Sequence, residues 1–509
     1  MNDIDRYYGC DVPTKPEVRD GAWYARQHAM KKQKQTVAVK TTTHSQHTAS
    51  VTDVHDSLKS ESPSDEPKHI AYDGWKVFTG APGHALLHRV VHAVMTHEGK
   101  PKYQRATDKK NYSALIRSVC ANLAYLALLR PVSGTGIHLS RSKRVLGIRD
   151  RYAPQFVGEK LIPLLDTLES LDLIIQRKPE KAGRGQLKNP FGRQRRYGNQ
   201  TVIFPSGRFA AWMAECMVKS LSDVDHLITE ESGDEEIVLL KSKRVGNGNP
   251  LTQDAAALVQ YKDNETTDGY RKLVRQFNVW FAQMVVTIEN PERPSTTTGR
   301  LIDTRASRVQ RIFTRERWDS VGRYFRGWWM ELSKEERLER IRINGQRIAE
   351  LDFSNMMVRL AYAKLKVQPP EGDQYAIPGY ERSRAAMKII FSALLFDPAD
   401  FNRKRLPQDA LRVFHPGELR DTQRVIGDIK RFHSGLAGVF GSGMGHDLFF
   451  DESQILSVIL DTVQKRGLSA LPIHDALIVP LDQEPVIREI MEESFEQRMG
   501  MKGVVKVVE

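Results

Sequence analysis

Two aspartates stand out for the chemistry their surroundings would allow. Asp352 closes the segment RIRINGQRIAELDFSN, where Asn344-Gly345 separates two runs of strand-like alternation. Asn-Gly is a strong hairpin signal, so Asp352 is expected at the far end of a hairpin strand. Asp475 lies in LSALPIHDALIVPL, where His474-Asp475 divides two short apolar runs and reads as a tight turn whose carboxylate projects at one sheet edge. Carboxylates on neighbouring strands suit hard divalent cations, which take oxygen ligands. Two such ions about 3.5–4 Å apart clamp the attacking and leaving oxygens of a nucleotidyl transfer. Asp352 and Asp475 are therefore the candidate catalytic and metal-holding pair, for two Mg²⁺ ions or for Mn²⁺ in their place. Taken singly, each reads as a turn or cap residue, because Asp bonds local backbone donors.

Between them, ERSRAAMKIIFSALLF places Arg384, Lys388, Ser392 and Phe396 at steps of four, on one face of a helix. An Arg and a Lys one turn apart can grip a triphosphate, the Arg as a planar fork and the Lys as a point charge. Phe396 can stack on a base. The other reading is an amphipathic surface helix.

The first motif, Asp352-Phe353-Ser354 followed by Arg359 and Ala361, together with the Arg384–Phe396 helix and His474-Asp475, resembles in this order the palm and fingers of family A DNA polymerases. The likeness to single-subunit phage-type RNA polymerases is more distant. It covers roughly Arg311 to the C-terminus. The stretch RVQRIFTRERWDSVGRYFRGWWMEL, with Gly322-Arg323 and Trp328-Trp329, resembles a divergent branch of these enzymes found on phages and mobile elements.

The resemblance implies an α+β fold: a right-hand palm built on an antiparallel sheet, helical fingers and a thumb-like region. It implies a DNA polymerase, with priming activity as a further expectation, replicating a mobile element, plasmid or phage. Its partners would be a DNA template and primer, dNTPs and also NTPs, and an accessory replication protein or helicase. It assigns Asp352 and Asp475 to metal and catalysis, and Arg384, Lys388, Phe396, Met357 and His474 to the nucleotide. Arg323, Trp328, Trp329 and Arg359 are assigned to DNA. Paired Trp beside Arg323 and Arg326 could form a stacking and phosphate platform, or else a buried Trp core.

Several positions depart from the family pattern. Met357 stands where replicative members carry the Glu that excludes a ribose 2′-hydroxyl, so sugar exclusion is expected to be soft. Phe396 replaces the usual Tyr. Ala476, after Asp475, replaces a third carboxylate. No paired-carboxylate proofreading motif is visible in the N-terminal half. A competing reading is a non-catalytic DNA-binding replication initiator or regulator with a polymerase-like scaffold.

The elements that must position these residues follow from patterning. Apolar residues at Leu115, Val119, Leu123, Leu126 and Leu129 predict a helix over Asn111 to Leu129, and a basic helix is predicted over His138 to Leu146. A further helix carries Leu161, Leu164, Leu165, Leu168 and Leu171. Strands follow at Leu173–Gln176 and Gln200–Phe204, flanking a basic run in which Lys178, Lys181, Arg184, Lys188, Arg193, Arg195 and Arg196 are opposed only by Glu180. Helices followed by two strands around a basic loop match a winged helix, whose wing meets the duplex backbone. A plain solvated loop is the alternative. Lys188, Arg193, Arg195 and Arg196 are the candidate DNA contacts there.

The expected division is a flexible arm over 1–70, a winged-helix-like DNA-binding domain over 71–220 and a linker over 221–250. A helical thumb-like and template-binding region over 251–340 and a palm and fingers domain over 341–509 complete it. The arm is polar and Ser-, Thr-, Lys- and His-rich, with little to bury. His84, His88 and His92 share a helical face, a spacing that suits metal ligands but carries no HExxH pattern. The glycine run GSGMG (Gly441–Gly445) lacks the Lys-Ser or Lys-Thr of a P-loop and reads as a hinge.

Across 509 residues, a prior of ~150 residues per domain suggests roughly three domains. The composition is 40% hydrophobic and 27% charged, which is ordinary for globular chains. Lys and Arg total 76 against 63 acidic residues, a net +13 that favours polyanionic partners. Ser118–Leu129, bounded by Arg117 and Arg130, falls short of the ~20 residues that span a bilayer. With Asp3, Asp5 and Arg6 at the start, a signal peptide is not expected. No membrane partner and a cytoplasmic location are the expectations. Cys10, Cys120 and Cys216 are far apart and read as ordinary thiols.

Overall fold

A computed structural model describes residues 69–99, 106–129, 134–147, 151–178, 201–226, 235–243, 257–289, 296, 302–305, 307–396 and 405–508. The expected arm over 1–70 falls almost wholly outside these residues, as do Lys188, Arg193, Arg195 and Arg196. The fold is mixed α+β. Two compact units are present, Glu61–Glu236 with Glu292–Asp303, and Ile237–Pro291 with Thr304–Glu509.

The N-terminal unit contains β1 (Ile70–Ala71), β2 (Lys76–Phe78), α1 (Ala81–Glu98), α2 (Ala106–Leu129), β3 (Ile137–Leu139), α3 (Leu161–Ser170), β4 (Ile174–Arg177), β5 (Thr201–Pro205), α4 (Gly207–Glu215) and β6 (Val224–His226). Leu86, Val90 and Val94 of α1, Leu115, Val119, Leu123 and Leu126 of α2, and Leu161, Leu164, Leu165 and Leu168 of α3 form one buried cluster. Helix α2 is longer than the apolar run alone implied, and by length and composition it could cross a membrane. Its apolar stripe instead packs on α1 and α3, and 72% of that stretch is buried.

Strands β1-β3-β5-β4 make a sheet in that order, with β1 parallel to β3 and the other pairs antiparallel. The helix predicted over His138–Leu146 is therefore corrected. Its first residues pair as β3, burying Ile137 and Leu139 on alternate positions, and only Lys143–Leu146 makes a helical turn. The linker predicted over 221–250 is corrected too. Val224–His226 pairs with β2, and Val238, Leu239 and Leu240 are buried as a strand of the second unit.

That second unit begins with this strand, β7 (Val238–Leu240), and continues through α5 (Glu265–Gln283), β8 (Val286–Ile288), β9 (Gln310–Phe313), β10 (Val321–Phe325), α6 (Lys334–Arg340) and β11 (Ile341–Ile343). It ends with β12 (Ile348–Phe353), α7 (Met356–Leu365), α8 (Arg384–Phe396), α9 (Gln408–Val413), α10 (Thr422–Phe432), α11 (Gly445–Lys465), β13 (Leu471–Ile473), β14 (Ala476–Pro480), α12 (Glu484–Met499) and β15 (Val505–Val508). The antiparallel sheet β13-β14-β12-β15 holds both aspartates, and α11 packs along β10, α7 and α12. The predicted thumb-like region over 251–340 thus contributes strands to the same unit as the residues after 341.

The Asn344-Gly345 turn forms with both residues at positive φ, 51° and 79°. Its ladder stops at one bridge, Ile343 to Gln346, because β11 pairs with β8 while β12 runs on to pair with β14 and β15. Asp352 thus sits on a central strand rather than at the end of a simple hairpin.

Candidate active site

Strand β12 is buried along nearly its whole length, and Asp352 is its one half-buried residue. Asp352 pairs in register with Ala476, and Ile473 pairs with Ala476 across β13–β14, so His474-Asp475 is a two-residue turn at the level of Asp352. His474 opens that turn at φ 55°, a conformation that costs a non-glycine residue about 1–3 kcal/mol. Its ring packs edge-on against Phe325, 5.9 Å between centroids.

Asp475 is close enough to change the ionisation of Asp352. Asp352 is pushed up from 3.8 to about 7, first by burial and then by the negative charge of Asp475, against the pull of Lys334 and Lys388. A neutral or metal-bound Asp352 is favoured over two bare carboxylates. The donor set is oxygen only and is half-buried, and no side-chain cation bonds to either Asp352 or Asp475 among the described hydrogen bonds. These features fit a hard divalent ion. No group of three His, Cys, Asp or Glu is gathered for a metal among the described residues, and His84, His88 and His92 stand exposed on α1.

Glu452 on α11 is a residue that the sequence reading missed. Burial pushes it up to about 7, with Asp475 and Asp352 adding to the effect, against the pull of Arg323. Arg323 donates to both its carboxylate oxygens at 2.6 Å and lies over the Phe449 ring, 3.7 Å from its centroid. A bulge in β10 aims Arg323 there. Gly322, at φ 65°, permits that bulge, since a Cβ would meet Phe313 and Ser453 at 2.9 Å. The available signal was a set of polar residues, Glu452, Ser453 and Ser457, amid the apolar Leu448, Ile455 and Ile459 of one helix.

Several predicted DNA contacts are corrected by this packing. Arg323 is buried and paired, and Trp328 and Trp329 are core residues, 3% and 0% exposed. Trp329 donates its indole N–H to Pro472 O at 2.7 Å and Trp328 donates to Ser307 Oγ at 3.2 Å, so the stacking platform gives way to a buried core. Arg359 donates to the carbonyls of Ser354 and Lys502, tying the end of β12 to the approach to β15. Phe396 is not a free stacking face. Its ring lies 4.6 Å from Phe449 and 5.1 Å from His446, and Gly445 lets α11 approach it, because a Cβ there would fall 2.7 Å from the ring.

The nucleotide-side residues divide. Arg384 pairs with Asp373 through Nε and, at 3.1 Å, through Nη2, and its Nη2 also reaches Asn355 Oδ1 at 3.5 Å. Asp373 is pulled down, because these hydrogen bonds outweigh its burial. Lys388, one turn on, is exposed, its ammonium makes no hydrogen bond or ion pair among the described residues, and it lowers Asp352 by its charge. Met357 is half-buried in the first turn of α7, directly after the strand that carries Asp352.

No protein family matches the sequence, and no curated protein matches it. Among solved structures, the chain is similar to the POL domain of Pol1 from M. smegmatis in complex with DNA primer-template and dNTP, at 10% identity and a TM-score of 0.24. The match covers 48% of this chain and 51% of that one, about half its length.

Proposed function

We propose that the chain is a template-directed nucleotidyl transferase acting on DNA, a compact polymerase of mobile-element, plasmid or phage type with the capacity to start chains. The observation that carries this reading is the carboxylate pair Asp352 and Asp475, held together on one sheet without a bonded cation while neighbouring acids are neutralised. A non-catalytic scaffold has no physical use for acids that repel each other.

In this reading, sheet β13-β14-β12-β15 is the palm floor and α8 belongs to the fingers. Asp352 and Asp475 would hold Mg²⁺, or Mn²⁺, with substrate phosphates and water completing a shell to which the protein gives two carboxylates. The bound ion would supply charge stabilisation of the developing oxyanions. Lys388 is the open cation for the triphosphate. Arg384 would have to exchange Asp373 for a phosphate, so it acts as a clamp that closes on the correct nucleotide. The primer 3′-oxygen would displace pyrophosphate from the α-phosphorus, with positioning and charge stabilisation as the protein's whole task. Met357 leaves room beside the sugar, so NTPs enter as well as dNTPs, with discrimination of about 10–10³-fold.

The N-terminal unit supports a winged-helix reading through the order α2, β3, a helical turn, α3, β4 and β5, with β4 and β5 antiparallel around the basic segment. That segment, including Lys188, Arg193, Arg195 and Arg196, would grip duplex phosphates, and the net +13 charge is of the right sign.

The test is primer extension by the full chain with labelled dNTPs and, separately, NTPs, with and without primer, in Mg²⁺. Template-dependent incorporation is expected with both sugars. No incorporation under any of these conditions, with the protein folded and bound to DNA, would return the chain to the scaffold reading.

A further inference from the structure

The loop between β9 and β10, Thr314–Ser320, carries Arg315 and Arg317 against the first turn of α11. Two backbone contacts fix its neighbours: Lys241 N donates to Phe313 O at 2.9 Å, and Glu316 N donates to Lys241 O at 3.0 Å. The residues that leave β7, Lys241 and Lys243, therefore run beside this loop. Arg315 and Glu316 both adopt left-handed backbone, φ 62° and 58°, a shape imposed on non-glycine residues by the surrounding contacts.

Arg317 is neutralised. It donates to Asp319 at 2.7 Å and to Asp447, on α11, at 3.0 Å. Those two acids are thereby occupied, and the loop's other acid, Glu316, is exposed at its tip. The side chains of Arg315, Lys241 and Lys243 make no hydrogen bond or ion pair among the described residues. Arg315 is half-buried, and both burial and the charge of Arg317 press its guanidinium toward losing its proton, against Asp447. Beside them, His446 holds its ring edge-on to Phe396, with Nδ1 buried and without a hydrogen-bond partner. Burial, then Arg315, Arg317 and Lys243, push His446 down to about 3, so it is neutral and keeps one N–H to give.

Like charges crowded without counter-ions, next to an unsatisfied imidazole nitrogen, are the complement of an anion. We propose that Arg315, Lys243, Lys241 and His446 form a phosphodiester subsite that takes the backbone of the nucleic-acid strand the chain copies, separate from the Asp352–Asp475 pair. The identity of the strand rests on the proposed function; the anion chemistry does not. Arg315 contributes the planar fork and Lys243 and Lys241 contribute point charge, while the neutral His446 ring packs behind them and adds no competing negative charge. A strand seated here would relieve the repulsion that the unliganded cluster carries.

The test is binding of fluorescent primer–template and of a single-stranded oligonucleotide by the full chain across a salt series, with inorganic phosphate as competitor. The double variant Arg315→Gln with Lys243→Gln is compared with wild type and with Lys366→Gln plus Arg466→Gln, an equal charge change at exposed positions elsewhere. The Arg315 and Lys243 variant is expected to weaken oligonucleotide binding about tenfold at low salt and to lower the salt slope by about 1–2, at ~0.9 per phosphate contact. The control pair should lower neither appreciably. Equal behaviour of variant and wild type, or an equal loss in the control, overturns the subsite. Competition by millimolar phosphate in wild type but not in the variant supports a discrete anion site. Absence of all DNA binding by wild type overturns both this inference and the proposed function, whereas DNA binding without incorporation overturns the function alone.

Discussion

Two acids of β12, Glu350 and Asp352, treat the same chemistry in opposite ways. Glu350 accepts from Arg337 Nη2 at 2.7 Å and lies 3.4 Å from Lys334 Nζ, so its charge is neutralised where it is buried. Asp352, two residues on, faces Asp475 across the β13–β14 turn and is pushed up to about 7. A buried acid that serves the fold is given a cation; one that serves a ligand is left needing one. The loop at Arg315 repeats the pattern with the signs reversed, since Arg317 has its two acids and Arg315 has none. Within one unit, therefore, the charges of both signs left without a bonded partner are the places to which the proposed function and the proposed anion subsite assign a ligand.

Catalysis separates these two positions most sharply. Asp352→Asn or Asp475→Asn should lower nucleotide incorporation by ~10³-fold or more while leaving DNA affinity within about twofold, read by single-turnover extension alongside anisotropy. Full incorporation by either variant removes the pair from the active site.

Stability should invert between the same two positions. Glu350→Gln strands Arg337, which is 9% exposed at its side chain, without its full counter-charge. Breaking such a buried pair costs about 3–5 kcal/mol and should lower the melting temperature markedly. Asp352→Asn should raise it, by roughly 2–6 °C at pH 8. The sign follows from linkage. Because folded Asp352 keeps its proton to about pH 7 and the unfolded residue releases it near 3.8, metal-free wild type loses stability as pH rises through that window. Asn cannot titrate, so the gain in the variant should be largest above pH 7 and vanish near pH 4. Lys334, Lys388, Glu350 and Glu452 share that field, and a melting series from pH 4 to 8 reads their sum. A variant no more stable at pH 8 than at pH 4, relative to wild type, would mean that Asp352 is compensated after all.

Much of this was legible in the sequence where pattern and burial coincide. The Leu stripes of α2 and α3 became core, and the apolar runs around His474-Asp475 became β13 and β14, because a period of burial is a local property. What was not legible depended on partners distant in sequence. His138 reads as helical in its basic surroundings but is drawn into β3 by pairing with Val202 of β5. Trp328 and Trp329, beside arginines, could have been a platform or a core, and it is Pro472 and Ser307, 143 and 21 residues away along the chain, that settle their role as core. Glu452 could be found only as a polar residue on an apolar face, since its partner Arg323 is more than a hundred residues away. Arg384 looked free for a triphosphate because nothing local announces Asp373 as its counter-ion.

The central claim, that the Asp352–Asp475 pair is left uncompensated in order to hold divalent cations, is tested most directly by Mn²⁺ binding. Mn²⁺ bound to wild type and to Asp352→Asn is counted by electron paramagnetic resonance, with primer–template and a non-hydrolysable dNTP analogue present. Binding by wild type that is weakened at least tenfold in Asp352→Asn is the result predicted here. Equal binding by the two proteins, or none by wild type, would contradict it.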